Sequence, residues 1–262
     1  MSFNTVGFTI FGIPPYFFCA VIGLVVAVSL NIILVSSKKY ALPKHMRNLI
    51  VALLSMVVFA KLFGCLSGIY RAIGENEPIT FETIKNTGIV FYGGLLGLLL
   101  SYYIGTRTKL ISPDERKSID VLAVSIPLFH AIARIGCFLA GCCYGIEYHG
   151  FCAINYTILR DGAELCTSRI PVQLMEAVLN ICIFIYLCSL VKKDDWEDKN
   201  ILVRYLVLYS CGRFLLEFIR GDTVRGVIYG VSFSQVIAIL LMAGILIAHI
   251  LKKKTKSKEI SV

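Results

Sequence analysis

Charge is scarce in this chain. Asp, Glu, Lys and Arg make up 16% of its 262 residues and apolar residues 57%, where a soluble domain carries about 25% and roughly 45–50%. With a mean hydropathy of +0.76, a water-soluble fold is excluded and a polytopic membrane protein is expected. Low-complexity stretches, long linkers and internal repeats are also missing. Their absence leaves no place for a domain boundary and weighs against a repeat-built alternating-access transporter. Residues 1–15 hold no Lys or Arg, so the first apolar run lacks the basic flank of a cleaved signal peptide and is expected to stay as a span. Cys142, Cys143, Cys152 and Cys166 follow no usual zinc spacing, so neither metal nor cofactor is expected. In an oxidising environment those four could instead form disulfides.

What remains is apolar sequence in runs of the length that crosses a bilayer, about 20 residues each. Seven spans are read, at 16–36, 49–70, 87–105, 119–140, 171–191, 201–219 and 229–251. The fold class is therefore an all-α bundle, with residues 1–262 as a single transmembrane domain. Alternate loops differ in basic residues: one side, with the tail, holds 16 Lys and Arg and the other 6. Positive charge stays inside, so the N-terminus is expected outside the cytoplasm and the C-terminus within it. Residues 252–262 become a basic cytoplasmic tail, and 141–169 an extracytoplasmic loop with room for a small extramembrane structure. This topology and attraction to lipid headgroups account for the net charge of +9, and no nucleic acid is needed to explain it. Ser112 and Pro113 read as the cap and first residue of the fourth helix.

The few charges inside spans are unevenly placed. Arg134, Arg213, Glu217 and Arg220 fall in the outer halves of spans four and six, Gln173 and Glu176 at the outer start of span five, and Tyr16 at the outer start of span one. Tyr92, Gly93 and Gly94 lie nearer the middle of span three. Lys61, near the middle of span two, fits none of these groups. A guanidinium does not lose its proton in a protein, and in lipid it costs about 2.5 kcal/mol or more unless paired or hydrated. Several spans thus deliver polar groups to one depth, as a shared cavity would require.

Three clusters carry chemistry. In the run from His130 to Gly145, His130 and Arg134 stand four apart on one helical face, and Gly136, Gly141 and Gly145 permit close approach or a left-handed turn. Arg134 either holds an anion beside such a turn or pairs with a carboxylate between helices. From Tyr209 to Asp222, Arg213, Glu217 and Arg220 follow Tyr209 along one stripe. Glu217 can neutralise one arginine and leave another for an anion; a purely structural ion network is the alternative. Gln173 and Glu176, three apart, can orient an arginine or a lipid hydroxyl. The small residues Gly93 and Gly97 suit close helix packing.

These motifs, in this order, resemble the prolipoprotein diacylglyceryl transferases, and the resemblance covers nearly the whole chain. It rests on Tyr16, the Tyr92-Gly-Gly-Leu-Leu-Gly97 run, Arg134-Ile-Gly-x-Phe-x-x-Gly141, Pro171-x-Gln-Leu-x-Glu176, and Tyr209 through Arg213 and Glu217 to Arg220. It implies a seven-span enzyme of the bacterial inner membrane. Such an enzyme moves the diacylglyceryl group of phosphatidylglycerol to the signal-peptide cysteine thiol of a prolipoprotein, the lipobox cysteine. By the same resemblance Arg134 and Arg213 would hold the phosphate, with Glu176, Glu217 and Arg220 in support. Tyr16 and Tyr209 would contact headgroup or thiol, and Gly93, Gly94, Gly136, Cys137, Gly141 and Gln173 would shape the substrate site.

Three places depart from the family pattern. Tyr92 stands where the family has His before Gly-Gly, Cys137 where it has Asn, and Ala140-Gly141-Cys142 where it has Asn-Gly-Glu. Tyrosine, with a pKa of about 10, is a poor base near neutrality, and His130 is the nearby candidate to replace it. The departures leave open a transferase acting on another acceptor, and the arginines alone would also serve a non-catalytic phospholipid-binding protein.

Overall fold

The computed structural model describes residues 2–4, 8–85, 87–112, 117–160, 163–193, 195–221 and 227–260. Its long helices are α1 (Pro15–Ser37), α2 (Leu42–Glu75), α4 (Phe91–Arg107), α5 (Ser118–Leu139), α6 (Val172–Val191), α7 (Ile201–Leu216) and α8 (Phe233–Ile260), with a short α3 (Phe81–Lys85). These seven long helices overlap the seven apolar runs. Five of them are long and apolar enough to cross a membrane by themselves: α1, α2, α5, α6 and residues 233–251 of α8. The other two, α4 with 17 residues and α7 with 16, are shorter.

The helices begin where the sequence supplies a reason. Proline sits in the first turn of α1 and α2, where a backbone N–H would lack an intrahelical partner anyway. α7 is capped across the bundle: the Asp120 carboxylate of α5 accepts the Leu202 N–H at 2.7 Å, placing negative charge at a helix N-terminus. Pro113, read as the first residue of the fourth helix, lies outside the described residues, and α5 starts at Ser118.

Two boundaries moved for identifiable reasons. Span three was expected from residue 87, yet α4 begins at Phe91. The segment before it is held by α2, with the Val90 N–H donating to the Ala60 carbonyl at 3.0 Å and Lys61 Nζ to the Thr87 carbonyl at 2.7 Å. That contact also places Lys61: a backbone carbonyl serves as its partner, as intramembrane lysines require. The last span was expected from residue 229, but a tight hairpin of β4 (Val227–Ile228) and β5 (Val231–Ser232) comes first. Its turn residues Tyr229 and Gly230 both have positive φ, 49° and 78°, the twist that favours two-residue hairpins. α8 then runs on through the start of the basic tail to Ile260.

The loop at 141–169 does carry a small structure. β2 (Ile154–Arg160) pairs antiparallel with β3 (Ala163–Arg169), and β1 (Ser2–Asn4) joins β2 in parallel. This pairing brings the N-terminal strand and the loop to the same end of the bundle. All ten cysteines are free, including Cys152 and Cys166 in this region.

α5 is the central element, packed against α1, α6 and α7, while α2 packs on α4 and α8 on α7. Large apolar side chains such as Val25, Leu54, Val58, Ile185 and Leu240 face outward, as a lipid-facing surface would. The α2–α4 contact depends on small residues. A Cβ at Gly97 would fall 2.6 Å from the Ser55 carbonyl oxygen, and one at Gly93 2.5 Å from the Phe59 carbonyl oxygen. Gly97→Val should therefore force the helices apart and destabilise the bundle by about 1–3 kcal/mol, the range seen for overpacking. A fall in the thermal midpoint of the detergent-solubilised protein checks this; an unchanged midpoint would contradict the packing.

Candidate active site

The carboxylate of Glu176 organises the polar centre. It lies one turn into α6 and is 1% exposed, a burial that a charged group tolerates only with partners. Those partners come from two helices, α5 and α7. Arg134 of α5 approaches Oε2 through Nε at 3.0 Å, and Arg213 of α7 places Nη1 3.8 Å from the same oxygen. Tyr209 donates its hydroxyl to Oε1 at 3.4 Å, and His130 Nε2 lies 3.5 Å from that oxygen. Arg213 is paired a second time, Nη2 lying 2.5 Å from Glu217 Oε2. Arg213 occupies the last turn of α7, where a cation is favoured by the helix dipole.

Two features distinguish this network from a closed ion pair. Arg213 Nη1 is buried and makes no hydrogen bond within the protein, and an unsatisfied buried donor in a polar site calls for a ligand or water. Arg134, Arg213 and Arg220 also all act on the one Glu176 carboxylate. The arrangement suits an anion.

His130 has its own role here. Arg134 Nε donates to His130 Nε2 at 3.2 Å, so that nitrogen must be unprotonated and the ring's proton belongs on Nδ1. Phe91 stacks on the imidazole at 3.9 Å, and Tyr209 meets its edge at 5.1 Å. The Nε2 lone pair is therefore already engaged by Arg134. Tyr92, 2% exposed, lies against Tyr209 with ring centroids 5.4 Å apart, its phenol turned toward Ser210 and Arg213.

The outer wall is the turn after α5. Gly141, at φ 64°, ends the helix: its N–H bonds the Phe138 carbonyl, and the Cys142 N–H reaches back to the Cys137 carbonyl at 3.1 Å. That is the paired bonding of a Schellman stop, which needs a left-handed residue at this point. Gln173 locks the turn from α6, donating to the Cys142 carbonyl at 2.6 Å and accepting from the Tyr156 hydroxyl at 3.3 Å. Burial pushes the Tyr156 phenol up to about 12, so it stays a donor. Arg169 braces the same wall, paired with Glu147 at 3.0 Å and lying over the Tyr144 ring at 4.6 Å.

The sulfurs of Cys137, Cys142 and Cys143 lie within 4.8 Å of one another. Cys143, at φ 61°, is favoured as the thiolate of the trio. Hydrogen bonds from Cys137 and Cys142 hold its thiol well below the ordinary range, assisted by Arg220 and Arg134. Cys142 is pushed up by the same contacts.

Most of the sequence-predicted residues converge. Arg134, Arg213, Glu176, Glu217, Tyr92 and Tyr209 form one buried cluster, with Gln173, Cys137 and Gly141 in its wall. Arg220 departs from the expected helical stripe. α7 ends at Leu216, one 3-10 turn follows (Glu217–Ile219), and Arg220 is extended at φ −82°, ψ 135°. The reason is cross-chain bonding: Ile146 donates to the Ile219 carbonyl and Gly221 to the Tyr144 carbonyl. Arg220 remains close enough to act on Glu176 and Cys143. Gly93 and Gly94 lie in the α2–α4 contact and Gly136 packs on α1 at Tyr16 and Cys19. Tyr16 itself is 52% exposed and stands outside the cluster.

Phe91, Tyr156, Ser210 and Arg169 were missed. The first three look like ordinary core or strand residues in sequence, and Arg169 like one more loop cation. Phe91 also lines an apolar cleft with Leu24, Val28, Leu95, Leu122 and Phe129. The cleft thus opens beside the polar centre.

Comparison with known proteins shows the family. Residues 5–251 match the family model described as prolipoprotein diacylglyceryl transferase. The phosphatidylglycerol–prolipoprotein diacylglyceryl transferase of Clostridium tetani is 28% identical over 249 residues, 93% of this chain and 96% of that protein. The enzyme of the same name from Clostridioides difficile is 27% identical over 98% of this chain and 99% of its own length. That of Streptococcus uberis is 28% identical over 94% of this chain and 93% of its own.

Removing the shared carboxylate should be costly, because breaking a buried ion pair by deleting one partner costs about 3–5 kcal/mol. Glu176→Leu is expected to lower the unfolding midpoint in detergent more than Glu147→Leu, whose carboxylate is exposed. Equal effects would show that Glu176 does not hold the arginines.

Proposed function

The chain belongs to the prolipoprotein diacylglyceryl transferase family, and we propose that it catalyses transfer of the diacylglyceryl group of phosphatidylglycerol to the lipobox cysteine of prolipoproteins. The observation that carries this reading is the buried, incompletely satisfied Arg213 beside Arg134, around a single carboxylate. A phosphate diester needs fixed cationic donors, and both arginines are held in place before any ligand arrives.

The reaction follows from that arrangement. The acceptor's thiolate attacks the glycerol methylene carbon of the lipid, forming a carbon–sulfur bond. The carbon–oxygen bond to phosphate breaks, and its electron pair leaves on glycerol phosphate. Charge builds on the phosphate oxygens as the bond breaks, so donors fixed nearby lower the barrier. Arg134 and Arg213 act directly on the phosphate. Glu176 and Glu217 orient the two guanidinium groups, and Arg220 adds positive charge from the outer wall. Tyr209 and Tyr92 close the pocket on the α7 and α4 sides and face the headgroup or the thiol. The acyl chains run toward the apolar cleft at Phe91, and Tyr16, exposed at the start of α1, meets the headgroup as lipid enters. Gln173, Cys137 and Gly141 shape the outer wall, Gly136 sets how closely α5 approaches α1, and Gly93 and Gly94 set how closely α4 approaches α2.

This reading implies a single transferase domain in the bacterial inner membrane. α4 and α7 complete seven crossings with the help of their flanking segments. The N-terminal strand and the 141–169 loop face outward, and the tail from residue 252 faces the cytoplasm. That orientation puts the site in the outer leaflet, where exported precursors present their lipobox.

Expression in a strain depleted of its own lipoprotein transferase tests the proposal, with precursor processing read on a gel. The wild-type chain should restore processing. Arg134→Ala and Arg213→Ala should lose it, with turnover falling about 100-fold to 1,000-fold, as expected for removing a donor to the developing anion. Persistent precursor despite good expression, with phosphatidylglycerol still consumed, would point to a different acceptor, as the Tyr92 and Cys137 replacements could allow.

A further inference from the structure

We propose that Cys137, Cys142 and Cys143 form a three-thiolate site for a soft, tetrahedrally coordinated dication such as zinc, and that its open fourth position takes the acceptor's thiol. The acceptor role rests on the transferase reading above; the cation site stands apart from it.

The geometry comes first. The three sulfurs lie within 4.8 Å of one another. A tetrahedral zinc with bonds of about 2.3 Å needs its sulfurs roughly 3.8 Å apart, so a contraction of about 1 Å or less closes the site. The backbone that carries them is already set. The Schellman stop folds Cys142 back over Cys137, with its N–H bonded to the Cys137 carbonyl at 3.1 Å. Cys143 follows in a left-handed conformation at φ 61°, and Gln173 holds the Cys142 carbonyl at 2.6 Å. The turn would therefore need little reordering when a cation binds. Three thiolates on a dication leave one negative charge, and Arg134 and Arg220 both lie close enough to Cys143 to offset it.

The site is also open. Among the described residues no fourth His, Cys, Asp or Glu joins the three, and Cys142 is exposed. Three protein ligands with a vacant position is the pattern of catalytic rather than structural zinc. The vacancy answers a chemical need. Nucleophilic attack requires the acceptor as thiolate. The His130 Nε2 lone pair is engaged by Arg134, and Tyr92, ordinarily near pKa 10, is a weak base at neutrality. A thiol bound to the cation loses its proton outright. That proton passes to water, and the bound sulfur then attacks the glycerol carbon while glycerol phosphate departs toward Arg134 and Arg213. No oxidant or reductant enters the step.

Cobalt(II), which reports thiolate ligation and tetrahedral geometry by absorption, tests both parts on the reduced full-length protein in detergent. One cobalt per chain is expected, with sulfur-to-cobalt charge-transfer and tetrahedral ligand-field bands. Zinc should displace it. The bands should vanish in Cys142→Ser and Cys143→Ser, provided both elute and melt as the wild type, and persist in Cys152→Ser. A lipobox peptide should shift the ligand-field bands, whereas its Cys→Ser analogue should not. Failure to take up cobalt while the thiols titrate as reduced overturns the site, as do bands that survive both serine variants. Intact bands indifferent to the peptide, in a chain that still modifies it, overturn the thiol-binding role. The same indifference in a chain that leaves the peptide unmodified removes the acceptor role through failure of the transferase reading, with the cation site upheld.

Discussion

One buried carboxylate governs this architecture. Glu176 is almost fully enclosed and still meets Arg134, Arg213 and Tyr209 from two neighbouring helices. In an apolar bundle neither an arginine nor a glutamate can be left alone, so satisfying this one anion fixes the angular positions of α5, α6 and α7 together. The same contacts that hold the helices also hold the guanidinium groups. Stability and preorganisation are therefore one interaction viewed from two sides. Arg213 Nη1, buried and without a hydrogen bond among the described residues, is left to an anionic ligand.

The rest of the structure is arranged around that centre. Asp120 caps α7 from α5 on the far side of the bundle, which keeps the two arginine-bearing helices in register. At the near side the Schellman turn, Gln173 and Tyr156 make an outer wall that is polar yet tied down. The segment around Gly145 and Ile146 threads between the end of β3 and the end of α7, so the small sheet outside the bundle is coupled to the site. Phe91 links it to hydrocarbon-lined space: one side of this ring covers His130 and another lines the apolar cleft. A substrate with a charged head and apolar tails matches that division.

Much of this was legible in the residues. Long apolar runs identify the helices because a bilayer demands about 20 apolar residues from each crossing. Spacing put Arg134 with His130 and Arg213 with Glu217, since helical neighbours recur every three to four residues. What escaped depends on backbone bonds between distant segments. The late start of α4 follows from α2 capturing the segment before it, and Arg220 leaves its stripe because residues 144–146 bond to the end of α7. Gly93 and Gly97 carried the packing signal, but their partners on α2 could not be read from spacing. The cysteine trio was hidden for a related reason. Cys137 belongs to a helix and Cys142 and Cys143 to a loop, and only the left-handed turn at Gly141 brings their sulfurs together.

In the proposed reaction the Arg134–Glu176–Arg213 centre holds the phosphate of phosphatidylglycerol while its diacylglyceryl group moves to sulfur. The most direct measurement is a reconstituted reaction of the purified chain with phosphatidylglycerol and a lipobox peptide, followed by mass spectrometry of both products. A thioether-linked diacylglyceryl group on the peptide cysteine and an equimolar release of glycerol phosphate are expected. A peptide that carries the phosphate with it, or one that stays unmodified while the lipid is consumed, would contradict it.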